Sequence, residues 1–128
     1  MDLVLLLGRV LFSHMFIMSG VNHFTHRAPM AGYAKSMGAP MPDLSVPLTG
    51  AMILVGGLMV LLGFYARVGA LLIFLFLVPT AFIMHRFWGV PDAMMAQNQR
   101  AHFMKNLSLA GAALIIAYFG SGPYSIRP

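Results

Sequence analysis

Residues 3–24 read LVLLLGRVLFSHMFIMSGVNHF, and the fold turns on how this stretch is read. About 22 residues at about 1.5 Å of rise make about 33 Å of helix, enough to cross a hydrocarbon core of about 30 Å. The run is not plain hydrocarbon. With successive residues about 100° apart around a helix, Arg9, Ser13, Phe16, Gly20 and His23 fall within one narrow arc. Ionisable groups in lipid are costly unless buried or hydrated, so this stripe is expected to face other helices. His14 falls on the opposite face, where it meets a neighbouring helix or a partner chain.

The rest of the composition agrees. The chain is 59% hydrophobic and 9% charged over 128 residues, which allows one domain and is far from the make-up of a soluble one. So small a body could not bury four long apolar runs, and the chain is therefore expected to be an integral membrane protein. The net charge of +5 comes from singly scattered basic residues that form no run or stripe, so no nucleic-acid partner is expected. Such residues suit helix ends and anionic headgroups instead. With no cysteine, disulfide exchange, thiolate metal sites and c-type haem attachment are excluded. The first run carries Arg9 inside it, lacks a basic start and leads into no Ala-x-Ala-like site, so it reads as structure rather than a signal peptide.

Three further apolar runs follow, at residues 46–64, 68–87 and 101–119. The fold class is all-α: a single transmembrane domain built as a four-helix antiparallel bundle. Pro47 is expected in the first turn of the second span, where its missing N–H does no harm. Gly50, Gly56, Gly57 and Gly63 would let neighbouring backbones approach closely. Tyr65, Ala66 and Arg67 leave room only for a tight turn, and Pro79 is expected to kink the third span. Residues 25–45 form a long connector weighted by Tyr33, Met37 and Met41, and residues 89–100 a second polar loop. The distribution of Arg and Lys favours the two long loops facing the cytoplasm, with Arg67 and Arg127 on the other side.

Alternating crossings place the end of the first span, the end of the third and the start of the fourth at one membrane face. His23, His26, His85, His102 and Lys105 then share a layer, with Asn106 one turn beyond His102 and His26 read as a headgroup-level residue. Neutral imidazoles ligate metals, carry protons and hydrogen-bond quinone oxygens. The candidate cofactor-binding residues are therefore His23, His85, His102, Lys105, Asn106 and Arg9, with His85 and His102 as the pair for a metal or haem b. A plainer reading stands beside this one: histidines are comfortable at headgroup level, and Lys105 and Arg9 have stems long enough to snorkel. The twelve methionines suit soft packing better than copper, because none makes a closely repeated Met-x-Met pattern. No catalytic signature is present: Asp2, Asp43 and Asp92 lie at ends or in loops, and no phosphate loop or triad order appears.

Residues 6–24 (LLGRVLFSHMFIMSGVNHF), 55–73 (VGGLMVLLGFYARVGALLI) and 102–126 (HFMKNLSLAGAALIIAYFGSGPYSI) together resemble the DoxX family. The most specific pieces are Gly8-Arg9, Ser19-Gly20 with Asn22-His23, Gly56-Gly57, Arg67, Lys105-Asn106 and the Gly120 to Ser125 end. The resemblance implies a four-helix protein of the bacterial inner membrane. It also implies association with quinone-linked oxidation of sulfur compounds and with membrane complexes that manage oxidative stress. Many members carry a glutamate in the second helix where Ile53 stands here, which leaves Arg9 and Lys105 without an evident intramembrane carboxylate. Three functions follow as expectations. The first is a redox-associated subunit binding a quinone or similar apolar redox ligand. The second is a scaffold or assembly subunit docking other membrane or redox proteins, or a second copy, within the bilayer. The third is a haem- or metal-binding protein.

Overall fold

The structure is a computed structural model that describes residues 2–126; the side assigned to Arg127 therefore lies outside the described residues. Five helices follow one another: α1 (Asp2–Thr25), α2 (Arg27–Ser36), α3 (Pro42–Leu62), α4 (Ala66–Met84) and α5 (Ala93–Phe119). Four of them, α1, α3, α4 and α5, are long and apolar enough to cross a membrane, as the four apolar runs require. Across the bundle α1 packs on α3, α3 on α4 and α4 on α5.

Glycines set the spacing of these contacts. A Cβ placed on Gly20 would lie 2.7 Å from Leu54 Cβ, and one on Gly50 would lie 2.5 Å from His23 Cβ, so α1 and α3 touch nearly backbone to backbone. Gly56 and Gly69 do the same for α3 and α4, where a Cβ on Gly56 would meet Gly69 O at 2.8 Å. The buried side of α1 consists of Arg9, Ser13, Phe16, Gly20 and His23, the stripe that helical periodicity selects. Phe16 joins Ile53, Val60, Ile73 and Leu77 in the core. Ile53 is fully buried there, an apolar core position.

Several boundaries differ from the sequence reading. The connector at 25–45 contains α2, which packs through Ala31, Ala34 and Met30 against Val46, while Met41 is exposed. α3 begins at Pro42, so Pro47 sits inside the helix. Proline cannot donate to the carbonyl four residues back, and that carbonyl, Asp43 O, takes Arg27 Nη2 at 3.4 Å instead. The polar segment before residue 101 is the first part of α5: Asp92 caps it by accepting from Met94 N at 2.9 Å and Met95 N at 3.3 Å. At the α3–α4 turn, Gly63 takes the left-handed conformation (φ 68°) and α4 starts at Ala66, slightly earlier than the apolar pattern suggests. α4 runs helically past Pro79 to Met84, and His85 follows as its C-terminal cap.

Candidate functional site

One end of the bundle holds a cavity of about 500 Å³. Its floor is apolar: Met15 and Phe16 from α1 and Phe76 and Leu77 from α4. The opposite end is polar, with His23 from α1, Ser45 and Thr49 from α3, Thr80 and His85 from the end of α4, and Lys105 and Asn106 from α5. Met30 and Ala34 of α2 form part of the wall, so the helix found in the long connector covers the site rather than merely linking spans. His23 and Phe16 are seven positions apart on one helix, so the cavity runs about 10 Å along the membrane normal from polar end to floor.

The polar side chains differ in how they are held. His23 is 7% exposed and its Nδ1 lies 2.6 Å from Ser19 O, one turn back on its own helix. Its ring meets Phe76 edge to face at 6.0 Å between centroids. Asn106 is 3% exposed, yet its amide has no hydrogen-bond partner among the described residues. The amide opens onto the cavity that Asn106 lines, so its donors and acceptor are free to meet a ligand there. Lys105, one position before it, has no carboxylate partner among the described residues.

His85 stands between this cavity and a smaller outer hollow of about 280 Å³ lined by Tyr33, His85, Met95, Asn98, Gln99 and His102. Its Nδ1 is 3.1 Å from Gln99 Oε1, and Gln99 Nε2 donates to Tyr33 Oη at 3.1 Å, which ties α5 to α2 across the site. Burial lowers the pKa of His85 below the ordinary imidazole value; the Gln99 hydrogen bond opposes this in part, and the nearby His102 and Lys105 charges add lesser lowering effects. Arg86, next in the chain, donates to Met37 O at the end of α2, and its Nε is buried without a partner among the described residues.

The structure thus brings His23, His85, Lys105 and Asn106 around one cavity, while His102 lies outside it and stacks on His85 at 5.1 Å and 27°. Bis-histidine ligation of a haem needs two ring edges facing each other across the iron. Stacked faces do not provide this. Among the described residues no three His, Asp or Glu side chains are placed to hold a metal ion. The His26 ring pairs through Nδ1 with Thr25 Oγ1 of the preceding residue, at 2.9 Å.

Arg9 lies at the other end of the bundle. Its Nε donates to Val60 O at 3.2 Å and its Nη2 to Leu61 O at 2.9 Å, both at the C-terminus of α3. Nη1 donates to Ser121 O at 3.2 Å and Pro123 O at 2.6 Å, and Nη2 also to Tyr124 O at 2.9 Å. Met59 O is taken by Phe64 N at 2.9 Å and Leu62 O by Ile126 N at 3.0 Å, so all four orphan carbonyls of α3 have donors. Among the described residues no carboxylate pairs with Arg9: the partial negative charge at the end of α3 and a wrapped chain segment take that place. It is not part of the cavity, and it was the partner, not the burial, that the sequence left hidden.

Comparison with known proteins agrees with this architecture. The DoxX family model matches residues 4–86. Inner membrane protein YphA of Escherichia coli (strain K12) is 32% identical over 123 residues, spanning 96% of this chain and 87% of that protein. Inner membrane protein YqjF of the same organism is 35% identical over 127 residues, spanning 98% and 90%. No solved structure matches. With four membrane-spanning helices in one bundle and these relatives along nearly its whole length, the chain belongs to the DoxX family and is a multi-pass protein of the inner membrane.

Proposed function

We propose that the protein is a redox-associated membrane subunit whose cavity receives a quinone or a similar apolar redox lipid. The observation that carries this reading is the unpaired, 3% exposed amide of Asn106 at the polar end of an otherwise apolar cavity. A ring with oxygen atoms at its edge and an isoprenoid tail has the same polarity profile as the site: Lys105, Asn106, His23 and His85 at one end, Met15, Phe16, Phe76 and Leu77 at the other. The volume lies within the range of ordinary small-molecule sites. Lys105, whose charge has no carboxylate partner among the described residues, would donate to a quinone oxygen.

The test is direct. The full chain is purified in a mild detergent, its bound lipids are extracted and analysed for quinone, and decylubiquinone is titrated into the delipidated protein. Stoichiometric binding that Asn106→Leu and Lys105→Met each weaken supports the reading. Absence of co-purified quinone together with no binding of decylubiquinone overturns it and leaves the scaffold role.

A further inference from the structure

The hydrogen-bond partners at the polar end of the cavity decide which form of such a ligand fits. His23 Nδ1 faces Ser19 O at 2.6 Å. A carbonyl only accepts, so Nδ1 carries the hydrogen, and in the neutral ring Nε2 is a bare acceptor. That nitrogen has no partner among the described residues, although His23 is 7% exposed and lines the cavity. His85 repeats the arrangement. Gln99 donates its amide N–H to Tyr33 Oη, so its oxygen accepts from His85 Nδ1 at 3.1 Å and His85 Nε2 is again an acceptor. Burial, which disfavours the charged ring, keeps His85 neutral.

An acceptor beside a bound ligand has to meet a donor, or it loses its water for nothing. The two oxygens of a quinone only accept. They match Lys105 and the NH₂ of Asn106 but leave His23 Nε2 unpaired. The hydroxyls of the two-electron-reduced quinol both donate and accept, so one group can give its hydrogen to His23 Nε2 while its oxygen accepts from Lys105 or Asn106. We propose that the cavity binds the reduced, hydroxylated form of its redox lipid in preference to the oxidised form. This rests on the quinone reading above and adds to it a choice of redox state. One unmade buried hydrogen bond corresponds to about tenfold in affinity. For a two-electron couple, tenfold tighter binding of the reduced form moves the bound midpoint potential about 30 mV upward.

The experiment titrates the delipidated full chain anaerobically with decylubiquinol, decylubiquinone and the dimethyl ether of decylubiquinol, which keeps the ring and tail but has no donor. The expected order is the quinol about tenfold tighter than either other compound, and His23→Phe levels quinol with quinone. Equal binding of quinol and quinone by the native protein overturns the redox-state preference and leaves the quinone site standing. A dimethyl ether that binds as well as the quinol, or a quinol preference that survives in His23→Phe, also overturns it. No binding of any of the three overturns the quinone reading and this inference together.

Discussion

Arg9 Nη2 lies 2.9 Å from Leu61 O, so a cation carried by α1 closes the end of α3. The same guanidinium holds the carbonyls of Ser121, Pro123 and Tyr124. Replacing it strips donors from several buried acceptors at once. Arg9→Ala is expected to cost at least about 3 kcal/mol, from about 1–3 kcal/mol per buried group left unsatisfied. Arg9→Lys should recover only part of this, because an ammonium lacks the planar fork that spans two segments. Thermal unfolding in detergent measures both. A lysine variant as stable as the native protein would show that charge alone suffices.

Asn106→Leu separates binding from stability. An amide that served the fold would be missed, whereas this one has no hydrogen-bond partner among the described residues. Its replacement by an apolar side chain of similar size should leave the melting temperature unchanged or raise it, while decylubiquinone affinity falls by tenfold or more on the order of one lost buried hydrogen bond. A variant that melts much earlier would instead place Asn106 in the structural framework.

Gly50 and Gly111 should respond oppositely to alanine. A Cβ on Gly50 would sit 2.5 Å from His23 Cβ, whereas one on Gly111 meets nothing within 4 Å. Gly50→Ala is expected to cost about 1–3 kcal/mol by overpacking and to displace His23 from the cavity wall. Gly111→Ala should be neutral or stabilising, since alanine is the better helix former. Melting temperatures of the pair, with decylubiquinol titration of any folded Gly50→Ala, check the prediction.

Acid should weaken the fold through His85. Its pKa in the folded protein is lowered, chiefly by burial. Below about pH 6.5 the unfolded chain takes up a proton at this residue that the folded chain refuses. Stability is therefore full above that range and declines as pH falls toward the folded-state value. The charged and titratable neighbours are His102 and Lys105, with Gln99 and Tyr33 completing the surroundings. Unfolding followed from about pH 7.5 to about pH 5 should show a shallower decline in His85→Gln than in the native chain. Identical slopes would remove His85 as the source.

The number of spans and the inward stripe of α1 were legible in the sequence, because apolar run length and a period near 3.6 are local properties. The approach of α1 to α3 could be anticipated from Gly50 and Gly57 for the same reason. α2 was hidden because its packing residues, Ala31 and Ala34, are small, and small residues give little hydropathy contrast. Even so, Pro29 in its first turn is compatible with a helix. The early start of α5 had a usable signal in Asp92, a good N-cap three residues before Met95, but the polar Gln97, Asn98 and Gln99 masked it. For the site, crossing order alone placed His23, His85, Lys105 and Asn106 at one end. It could not show that His102 would stack outside the cavity, because that depends on where α4 stops and how the chain turns after Met84. Nor could any pattern pair Arg9 with residues from Ser121 to Tyr124: contacts over such separations leave no period behind.

The clasp at Arg9 also orders events in time. The first span enters the bilayer early in synthesis, yet the Ser121 carbonyl that helps to neutralise its arginine is made 112 residues later. Until α3 supplies the Val60 and Leu61 carbonyls, and for the remaining hydrogen bonds after that, the guanidinium needs other acceptors, since an unsolvated cation in hydrocarbon is costly. A chain that lacks residues 121–124 leaves Arg9 with only the α3 carbonyls of Val60 and Leu61 as acceptors. Synthesis of the Ser121 to Tyr124 segment is thus the step that completes the solvation of a charge placed in the first span.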